Sequence, residues 1–392
     1  MSEWSKAKLK EVAKIVTGKT PSTSHKEYFG GEIPFVTPAD LNNGILLETK
    51  THLTHLGANQ VYLVPENTVL VSCIGNLGKL AITSKDSCFN QQINGLIFNQ
   101  DIILPRYGFY FAQTLQPQLD KASSSTTLPI VNKSRFSELE IQYPSLEEQH
   151  RIAAILDKAD ELRQKRQQVI EKLDELLQAA FIDMFGDPVS NPMNWDLVKV
   201  GDVINELIGG KNIECPDTYE AKYKILKVSA VTSKIYKPDQ SKYAPKHFEP
   251  NPLAIVEKGD LLFSRANTSD LVAATAYVWD TPDHMVLPDK LWKFAVSDET
   301  KVNKLYLWDL FKNTEFRYEL SKLSSGTSGS MKNISKGKLN NLKMPLPPKE
   351  LQDQFAEFSI NLWAQIKSSK QSLNRLNELF VSLQNQAFNG TL

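Results

Sequence analysis

Most of this chain is an internal repeat. The segment Pro144–Gln149, with the sequence Pro-Ser-Leu-Glu-Glu-Gln, returns 203 positions later as Pro-Pro-Lys-Glu-Leu-Gln, and each copy begins a long amphipathic run. The N-terminal parts match at a shorter offset, with Trp4 against Trp195 and Gly18 against Gly209, so the second copy carries insertions. Because a repeat of this size fixes the architecture, we predict two related globular units that alternate with two helices.

The two amphipathic runs are predicted to form a coiled coil. Their apolar residues recur at spacings of three and four, which is the pattern of a coiled-coil seam. The first seam contains Ile152, Ile155, Ala159, Leu162, Val169, Leu173, Leu176, Ala180 and Met184, and the second contains Phe355, Phe358, Leu362, Ile366, Leu373, Leu376, Leu379, Leu383 and Ala387. A helix of about 40 residues is roughly 60 Å long. Two copies of one unit favour a pseudo-two-fold arrangement, which makes the helices antiparallel and places the globular units at opposite ends.

Each globular unit is predicted to have mixed secondary structure. Thr68–Ser72 and Asp260–Ser264 are short apolar runs typical of buried strands. One helix is expected later in each unit, near 107–119 and near 303–320. Asn132 and Ser335 are placed to cap the short helices that come next, because their side chains accept hydrogen bonds from free amides in the first turn.

The predicted fold class is therefore α/β (mixed α+β), with two globular units in a pseudo-two-fold repeat, separated by two long antiparallel coiled-coil helices. Proline residues after Asp187 and Asn191 mark the passage from the first helix into the second unit. The predicted divisions are 1–145 for the first unit, 146–186 for the first helix, 187–347 for the second unit and 348–392 for the second helix.

The composition is that of an ordinary globular protein. The 392 residues, 41% of them hydrophobic and 23% charged, suggest two or three domains with buried cores. The chain starts without an apolar signal core, and no stretch approaches the roughly 18 uncharged apolar residues of a membrane span, so we expect a cytoplasmic protein. Cys73, Cys88 and Cys215 are scattered, which predicts reduced thiols and no structural zinc. The net charge of zero is weak evidence against bulk attraction to nucleic acid but allows local basic faces.

Polar loops before the two capped helices indicate contacts to phosphate. Ser123–Thr127 and Ser324–Ser330 are rich in hydroxyls, and the helices that follow begin with basic residues. Hydroxyls, free amides and cations are the groups that hold phosphate oxygens. The alternative is a flexible loop with solvated lysines.

Other polar loops add candidates in both units. Gln91, Gln92 and Asn94 carry amides suited to bidentate recognition of adenine. The candidates for contact with a base or a phosphate in the first unit are Lys19, Thr20, Ser22, Ser24, His25, Lys26, Asn76, Lys79, Gln91, Gln92, Asn94, Lys133 and Arg135. Those in the second unit are Lys211, Asn212, Arg265, Asn267, Lys290, Lys332, Lys336 and Lys338.

Catalytic motifs are weak. Asp289, Glu299 and Lys301 imitate the core of a metal-dependent nuclease, in which carboxylates hold Mg²⁺. The first unit, however, has Gln91-Gln92 where the second has Pro288-Asp289, and the segment between is typical of an ordinary strand. No Gly-x-Gly-x-x-Gly motif follows a strand, and the Asn-Pro-Pro-aromatic motif for amino methylation is missing, so a bound adenosyl cofactor is not indicated. We predict no catalytic residue, no metal site and no cofactor.

The order of these parts resembles the specificity subunit of type I restriction-modification systems. The resemblance covers essentially the full chain and rests first on the doubled segments that begin at Pro144 and Pro347. The first helix ends in Met-Phe-Gly-Asp-Pro at Met184–Pro188, and the chain opens with Gly18–Ser22 followed by Glu32–Val36, which are typical of this family. The final segment departs from the pattern, since Ala-Phe-Asn-Gly replaces the Met-Phe-Gly-Asp form.

The resemblance implies a noncatalytic DNA-binding subunit. Each globular unit would be a target recognition domain for one half of an interrupted sequence in double-stranded DNA, and the helices would set the gap between the halves. The helices would also dock two methylation subunits, and motor-nuclease subunits would complete the restriction complex. Adenosylmethionine, ATP and Mg²⁺ are expected only on those partner subunits.

Three alternatives remain open at this point. A similar subunit could serve a related system with a fused methylase-nuclease, and the sequence does not separate this from a type I system. A self-contained metal-dependent nuclease would need Asp289, Glu299 and Lys301 to form a site. A scaffold that spaces two partners would keep the helices but show no preference among DNA sequences.

Overall fold

The computed structural model describes residues 4–124, 128–215, 220–296, 298–326 and 332–392. They form two compact units. Unit 1 consists of the chain up to Gln167 together with Gln371–Leu392, and unit 2 consists of Gln168–Lys370. Parts of both polar loops predicted to contact phosphate, 125–127 and 327–330, lie outside the described residues.

The helices follow the order of the repeat, because five of the six helices described in the first copy have a counterpart in the second. They are α1 (Leu9–Val12), α2 (His55–Ala58), α3 (Pro105–Ala112), α4 (Gln116–Ala122), α5 (Lys133–Ser137), α6 (Leu146–Phe185), α7 (Val200–Val203), α8 (Lys304–Lys312), α9 (Thr314–Lys322), α10 (Lys336–Asn340) and α11 (Lys349–Phe388). The two longest, α6 and α11, have 40 residues each.

The strands of unit 1 form three sheets. They are β1 (Ser5–Lys8), β2 (Ala13–Thr17), β3 (Phe29–Val36), β4 (Ile45–Leu46), β5 (Thr51–Leu53), β6 (Val69–Ser72), β7 (Leu80–Thr83), β8 (Cys88–Phe89), β9 (Ile93–Phe98) and β10 (Glu140–Tyr143). The largest sheet has the order β2-β9-β6-β7-β4, the second has the order β5-β3-β8, and β1 pairs with β10. Most neighbours are antiparallel, whereas β4 and β7, and β3 and β8, are parallel.

Unit 2 repeats this plan. Its strands are β11 (Leu197–Lys199), β12 (Ile204–Gly209), β13 (Lys224–Leu226), β14 (Ser241–Tyr243), β15 (Leu261–Ser264), β16 (Ala266–Asn267), β17 (Thr275–Tyr277), β18 (Met285–Val286), β19 (Leu291–Val296), β20 (Lys332–Asn333) and β21 (Lys343–Pro345). The sheets have the orders β12-β19-β15-β17 and β14-β13-β18, and two pairs, β11-β21 and β16-β20, complete the unit. The mixed α/β fold class predicted from the sequence is confirmed.

The central strand of each unit is buried on both faces, which explains its unbroken apolar sequence. Val69 and Val71 in β6 point into the core that contains the helices, and Leu70 points into a second core on the other side of the sheet. Side chains alternate in the same way along β15, where Leu261 and Leu262 belong to different cores. Both strands were predicted, and both are confirmed.

The repeated glutamine of the Pro-Ser-Leu-Glu-Glu-Gln segment is a structural residue. Gln149 is fully buried at the start of α6. Its Oε1 accepts a hydrogen bond from the Leu104 amide at 2.9 Å, and its Nε2 donates to the carbonyls of Ile102 and Pro144 at 2.8 and 3.0 Å. These bonds join the first turn of the long helix to the loop before α3. The amide therefore satisfies backbone groups that the loop and the helix start leave without a partner.

The second copy has the same network. Gln352 accepts from the Asn303 amide at 2.9 Å and donates to the carbonyls of Lys301 and Pro347 at 3.1 and 2.7 Å. A buried tyrosine hydroxyl in each unit adds a bond to the last strand before the helix, from Tyr107 to Gln142 and from Tyr306 to Pro345. The doubled motif thus fastens each long helix to its own globular unit.

The long helices run antiparallel to each other within each unit. In unit 1, Arg151 near the start of α6 donates to the carbonyl of Leu392 at 2.8 Å, and Arg163 donates to Asn377 at 2.7 Å. In unit 2, Phe181 near the end of α6 packs against Phe355 near the start of α11, with ring centroids 5.5 Å apart. Early residues of one helix therefore meet late residues of the other, as predicted.

Two details of the sequence prediction were wrong. The single helix expected near 107–119, and again near 303–320, is in each unit a pair of short helices, α3 with α4 and α8 with α9. The seam of α6 was placed partly on the wrong face, since Leu162, Val169 and Leu176 are 44%, 43% and 48% exposed. The buried positions that replace them include Leu156, Ile170, Leu177, Phe181 and Phe185. The helix packs against its own globular unit as well as the second helix, and a heptad count ignores that contact.

Candidate nucleic-acid interface

A glycine followed by a lysine leaves the first strand of the main sheet in unit 1. The Gly18 amide donates to the carbonyl of Ile93 at 3.1 Å, and the Lys19 amide donates to the carbonyl of Phe89 at 2.9 Å. A Cβ atom on Gly18 would lie 2.2 Å from the carbonyl oxygen of Asn90. Only glycine permits this close approach, which sets the exposed Lys19 beside the loop between β8 and β9.

The residue after the central strand connects two further loops. The Cys73 amide donates to the carbonyl of Gln92 at 2.8 Å, and the Cys73 carbonyl accepts from the amide of Val131 at 2.9 Å. The next turn is tied in as well, because the Gly75 amide donates to the carbonyl of Pro129 at 2.9 Å. The loop before β9, the β6–β7 turn and the start of α5 are therefore neighbours.

The first turn of α5 is capped as predicted. The Asn132 side chain accepts from the Arg135 amide at 2.9 Å, which leaves Lys133 exposed at the helix start. The guanidinium of Arg135 donates to the carbonyl of Ala122 at 3.0 Å, so it also holds the preceding loop in place.

These contacts bring most of the candidates in unit 1 to one surface. Thr20 donates to Gln91 at 2.7 Å, which joins the loop after β2 to the loop before β9. We use the name unit 1 edge for Lys19, Thr20, Asn76, Lys79, Gln91, Gln92, Lys133 and Arg135. Lysines and amides are both exposed in this set, which includes Lys19, Asn76, Lys79, Gln91 and Lys133.

The remaining candidates of unit 1 behave differently. Ser22 and Ser24 bond to each other at 2.7 Å, His25 bonds to Glu27 at 2.8 Å, and Lys26 is exposed in the same loop. Asn94 is 2% exposed. Its amide accepts from Thr17 at 2.7 Å and donates to the sulfur of Cys73 at 3.2 Å. A contact from Asn94 to a base does not fit this burial, and we exclude it from the interface.

Unit 2 builds the corresponding surface on the same backbone. The Gly210 amide donates to the carbonyl of Pro288 at 3.0 Å, and a Cβ atom on Gly210 would lie 1.6 Å from the carbonyl oxygen of Leu287. A β-bulge between Ile204 and Glu206 adds one residue to this strand relative to β2. Because of the bulge, Gly210 corresponds to Gly18, rather than Gly209 as the sequence offset indicated, and the exposed Lys211 corresponds to Lys19.

Arg265 occupies the position of Cys73. Its amide donates to the carbonyl of Lys290 at 3.1 Å, and its carbonyl accepts from the amide of Ile334 at 2.8 Å. The guanidinium Nε donates to the carbonyl of Asp289 at 2.8 Å, and the guanidinium carbon Cζ lies 5.6 Å from the ring centroid of Trp292. The side chain is 30% exposed, and Nη2 lies 3.9 Å from Oδ2 of Asp289, so one side of the guanidinium is held by the protein and part of it faces solvent.

The backbone bonds correct one alignment made from the sequence. The backbone carbonyls of Gln92 and Lys290 each accept from the amide of the residue that follows the central strand of their unit. Gln91-Gln92 therefore corresponds to Asp289-Lys290 and not to Pro288-Asp289. The registers agree, because Ser72 pairs with Ile93 and Ser264 pairs with Leu291. An amide in the first unit is therefore replaced by a lysine in the second.

The start of α10 completes this surface. Ser335 accepts from the Lys338 amide at 3.3 Å, which confirms the predicted cap, and Lys336 lies 5.9 Å from the ring centroid of Trp292. We use the name unit 2 edge for Lys211, Arg265, Lys290 and Lys336. The other candidates lie around it: Asn267 pairs with Lys332 across β16 and β20, Lys332 and Lys338 donate to the carbonyls of Gly326 and Leu323, and Asn212 is exposed after Lys211.

The two edges share a backbone and differ in chemistry. Three neighbouring positions, Thr17, Cys73 and Asn94 in unit 1, are Gly209, Arg265 and Trp292 in unit 2. A Cβ atom on Gly209 would lie 2.9 Å from Cδ1 of Trp292, so glycine makes room for the ring that supports the arginine. The unit 2 edge is cationic, whereas the unit 1 edge mixes cations with neutral amides.

Comparison with known protein families identifies the family of this chain. The family model described as the type I restriction modification DNA specificity domain matches residues 1–172 and again residues 192–378. The chain belongs to this specificity-domain family. Both copies of the repeat are thus copies of one family domain.

Relatives in this family are type I specificity subunits. The MjaIX specificity subunit of Methanocaldococcus jannaschii is 29% identical over 245 residues, which are 57% of this chain and 56% of that subunit. The MjaVIII specificity subunit of the same organism is 26% identical over 377 residues, which are 91% of this chain and 85% of the relative. The chain spans about half the length of the MjaIX subunit.

Solved structures share the fold of this specificity-domain protein. The crystal structure of the type I restriction-modification S subunit from M. genitalium has a TM-score of 0.60 at 14% identity, over 99% of this chain and 96% of that one. A structure from work on complex assembly and conformational transition of the type I R-M system has a TM-score of 0.54 at 18% identity, over 99% and 98%.

The three residues that imitate a nuclease core, Asp289, Glu299 and Lys301, make separate contacts in this specificity-domain protein. Asp289 faces Arg265, Lys301 pairs with Asp298 at 3.6 Å, and Glu299 is exposed in the turn after β19. The described residues contain no group of three or more His, Cys, Asp or Glu side chains placed to hold a metal ion. In the same part of the chain, no helix combines the length and apolar character needed to cross a membrane.

Sequence reasoning missed Trp292 and Asp289 as supports of the unit 2 edge. Trp292 is 5% exposed and looks like an ordinary core residue of β19 in the sequence. Its contact with Arg265 depends on the pairing of β15 with β19, which places Phe263 opposite Trp292. The alternation of side chains along β19 shows which residues share a face of the strand. It does not show that the Trp292 ring lies at the end of the sheet that carries Arg265.

Proposed function

We propose that this chain is the noncatalytic DNA specificity subunit of a type I restriction-modification system, in which each unit recognises one half of an interrupted sequence in double-stranded DNA. The observation that carries the proposal is the repeated edge: two copies of one family domain present different side chains on the same backbone. Two such surfaces on one chain suit a target with two different half-sites.

The chemistry of each edge suits a different kind of base contact. The Arg265 side chain is partly exposed, and an arginine bonds bidentately to guanine O6 and N7 in the major groove. Gln91 and Gln92 carry amides, which bond bidentately to adenine N6 and N7. Exposed lysines beside both sets, such as Lys19 and Lys211, would contact phosphates and fix the register on the duplex.

The long helices would set the unread gap and dock partner subunits. We propose the division into recognition domains at 1–145 and 187–347 and spacer helices at 146–186 and 348–392. The exposed Leu162, Val169 and Leu176 recur at heptad spacing on α6, and a repeated apolar position on a helix surface favours binding of another helix. We assign this role to two methylation subunits, with motor-nuclease subunits added for restriction.

Chemistry and location follow from the same assignment. The partners would carry adenosylmethionine, ATP and Mg²⁺, so this chain would act through DNA recognition and assembly alone. The complex would work in the cytoplasm, where the DNA it modifies is found.

Methylation mapping tests the proposal directly. DNA from cells that express this chain with its neighbouring methylation subunit is sequenced by a single-molecule method that detects modified bases, with cells lacking this chain as the control. We expect a new interrupted motif with methylated adenine in both halves. A stable complex with an active methylation subunit and no new motif would contradict the proposal.

The spacer role has a separate test. Inserting one heptad at equivalent points of α6 and α11 should lengthen the unread gap and leave both half-sites unchanged, because each recognition domain keeps its own edge. A heptad preserves the face of each helix. Altered half-sites with an unchanged gap would contradict the spacer role.

A further inference from the structure

A cavity of about 270 Å³ lies in unit 2, between the two long helices and the globular part. Residues of α6 and α11 form one wall, and α8 and the 233–235 turn form the other. Three tryptophans line it, and the rings of Trp279 and Trp363 are stacked 5.0 Å apart. The cavity shares no residue with the unit 2 edge.

Polar atoms without a partner gather in this cavity. Among the described residues, seven buried side-chain nitrogen or oxygen atoms have no hydrogen-bond partner, and four of them belong to residues that line it. These four are Nε1 of Trp279, Nε1 of Trp308, Oδ2 of Asp309 and Oγ of Ser359. Trp308, Asp309 and Ser359 are 3%, 4% and 1% exposed. Leaving such groups unpaired is costly, so their convergence on one cavity points to a ligand.

Asp309 is the buried carboxylate of the cavity. Its Oδ1 lies 2.8 Å from Nζ of Lys312, and its Oδ2 is the oxygen without a partner. Burial raises the pKa of Asp309, and the neighbouring Lys312 acts in the opposite direction. Lys312 also lies 4.0 Å from the ring centroid of Trp308. The carboxylate is thus held from one side and offers an acceptor on the other.

The corresponding place in unit 1 carries different side chains, some of which bond to one another. Tyr110 stands where Asp309 stands, and its hydroxyl donates to Asp157 at 2.7 Å. Arg106 packs 5.1 Å from the Tyr110 ring and bonds to the same carboxylate. On the side of the long helices, the Gln384 amide donates to Gln113 at 2.9 Å. The buried carboxylate of Asp309 is therefore a feature of unit 2, because unit 1 has at the equivalent position a tyrosine whose hydroxyl is already bonded.

The lining restricts the class of ligand. Two indole N–H groups require acceptors, and Oδ2 of Asp309 requires a donor, so the ligand must offer both. Lysine and carboxylate side chains both lie in the wall, and a neutral molecule avoids the cost of burying another charge. A cavity of about 150 Å³ holds benzene, so this volume accommodates two fused rings.

We propose that this cavity binds a neutral, planar heteroaromatic molecule of purine size, which bonds to Trp279, Trp308, Asp309 and Ser359. The rings of the tryptophans supply the apolar surface, and the four polar groups set the orientation. Binding joins α6 and α11 to α8 through one molecule and therefore stabilises unit 2.

The test uses the full chain with adenine as the probe and indole as the matched control. Indole has the same fused shape but lacks ring nitrogens that accept hydrogen bonds. Calorimetry should give one saturable adenine site per chain, with a change in tryptophan fluorescence, and much weaker binding of indole. No adenine binding at millimolar concentration, or equal binding of indole, would overturn the proposal.

Two variants connect the binding to the cavity. Trp308→Phe removes one N–H donor and keeps an aromatic ring, and it should weaken adenine binding about tenfold, the equivalent of one buried hydrogen bond of about 1.4 kcal/mol. Trp195→Phe, outside the cavity in the same unit, should leave the affinity unchanged. If Trp308→Phe does not fold, Ser359→Ala takes its place with an expected loss of about fivefold. Full affinity in the folded variant would overturn the proposal.

Discussion

Replacing Gln149 by leucine should destabilise unit 1 without altering its surface. The two side chains are similar in size, and the site is fully buried, so the main loss is hydrogen bonding. The substitution leaves the Leu104 amide and the carbonyls of Ile102 and Pro144 without their partner. An unsatisfied buried group costs about 1–3 kcal/mol, and two of these three bonds lie in partly buried surroundings, so we expect a loss of about 3–5 kcal/mol.

Hydrogen exchange followed by mass spectrometry measures this loss in each unit separately. Peptides from the β6 region should lose protection in Gln149→Leu, whereas peptides from the β15 region should keep it. The matched variant Gln352→Leu should reverse the pattern, because Gln352 makes the same three bonds in unit 2. Glu147→Ala, exposed in the same turn as Gln149, controls for the helix start and should change stability by less than about 0.5 kcal/mol. A loss below about 1 kcal/mol in Gln149→Leu would refute the structural role of the motif.

Three further outcomes are expected. Arg265→Ala should weaken target binding. It should lower the slope of log affinity against log salt by about one if the guanidinium contacts a phosphate, or relax specificity at one base position if it contacts a base. If the variant shows neither change, Arg265 does not belong to the interface. Burial raises the pKa of Cys73 to about 12 and of Cys88 to about 11, so iodoacetamide at pH 8 should label Cys215 first, and early labelling of Cys73 would contradict its burial. Lys10 and Lys8 hold the pKa of Glu138 at about 2, below its ordinary 4.5. The ion pairs of Glu138 with these lysines therefore stabilise the fold above pH 4.5, and this stabilisation is lost as pH falls towards 2. Acid unfolding of Glu138→Gln, followed by circular dichroism, should lack this dependence of stability on pH.

The repeat and the strand pattern predict the architecture because both record burial. Each central strand, both helix caps and the antiparallel direction of the long helices follow from positions that are apolar or that cap a helix in both copies. The heptad interpretation of α6 was less successful, since Val169 and Leu176 are apolar but exposed. Periodicity indicates which residues share a face of a helix, and it does not state which neighbour, if any, covers that face.

The candidate interface was harder to predict than the fold. Most candidates in unit 1 do meet at one surface, because polar residues at the ends of neighbouring strands come together when the sheet forms. The choice of Asn94 as a candidate and the omission of Trp292 have the same cause. Strand pairing decides whether a side chain points inward or outward, and the sequence alone does not show the pairing. The β-bulge between Ile204 and Glu206 shifted the alignment by one residue, and a single insertion within a strand leaves no local signal.

The exchange of Thr17, Cys73 and Asn94 for Gly209, Arg265 and Trp292 has a consequence for how such chains diverge. In unit 1 the asparagine bonds to both of its partners, and in unit 2 the arginine lies against a ring that only a glycine admits. An arginine placed alone at position 73 would meet Asn94 instead of an aromatic face, and a tryptophan placed alone at position 94 would collide with Thr17. Related chains should therefore change these three positions as a set, and correlated substitution among them would be the evolutionary record of one recognition surface being exchanged for another.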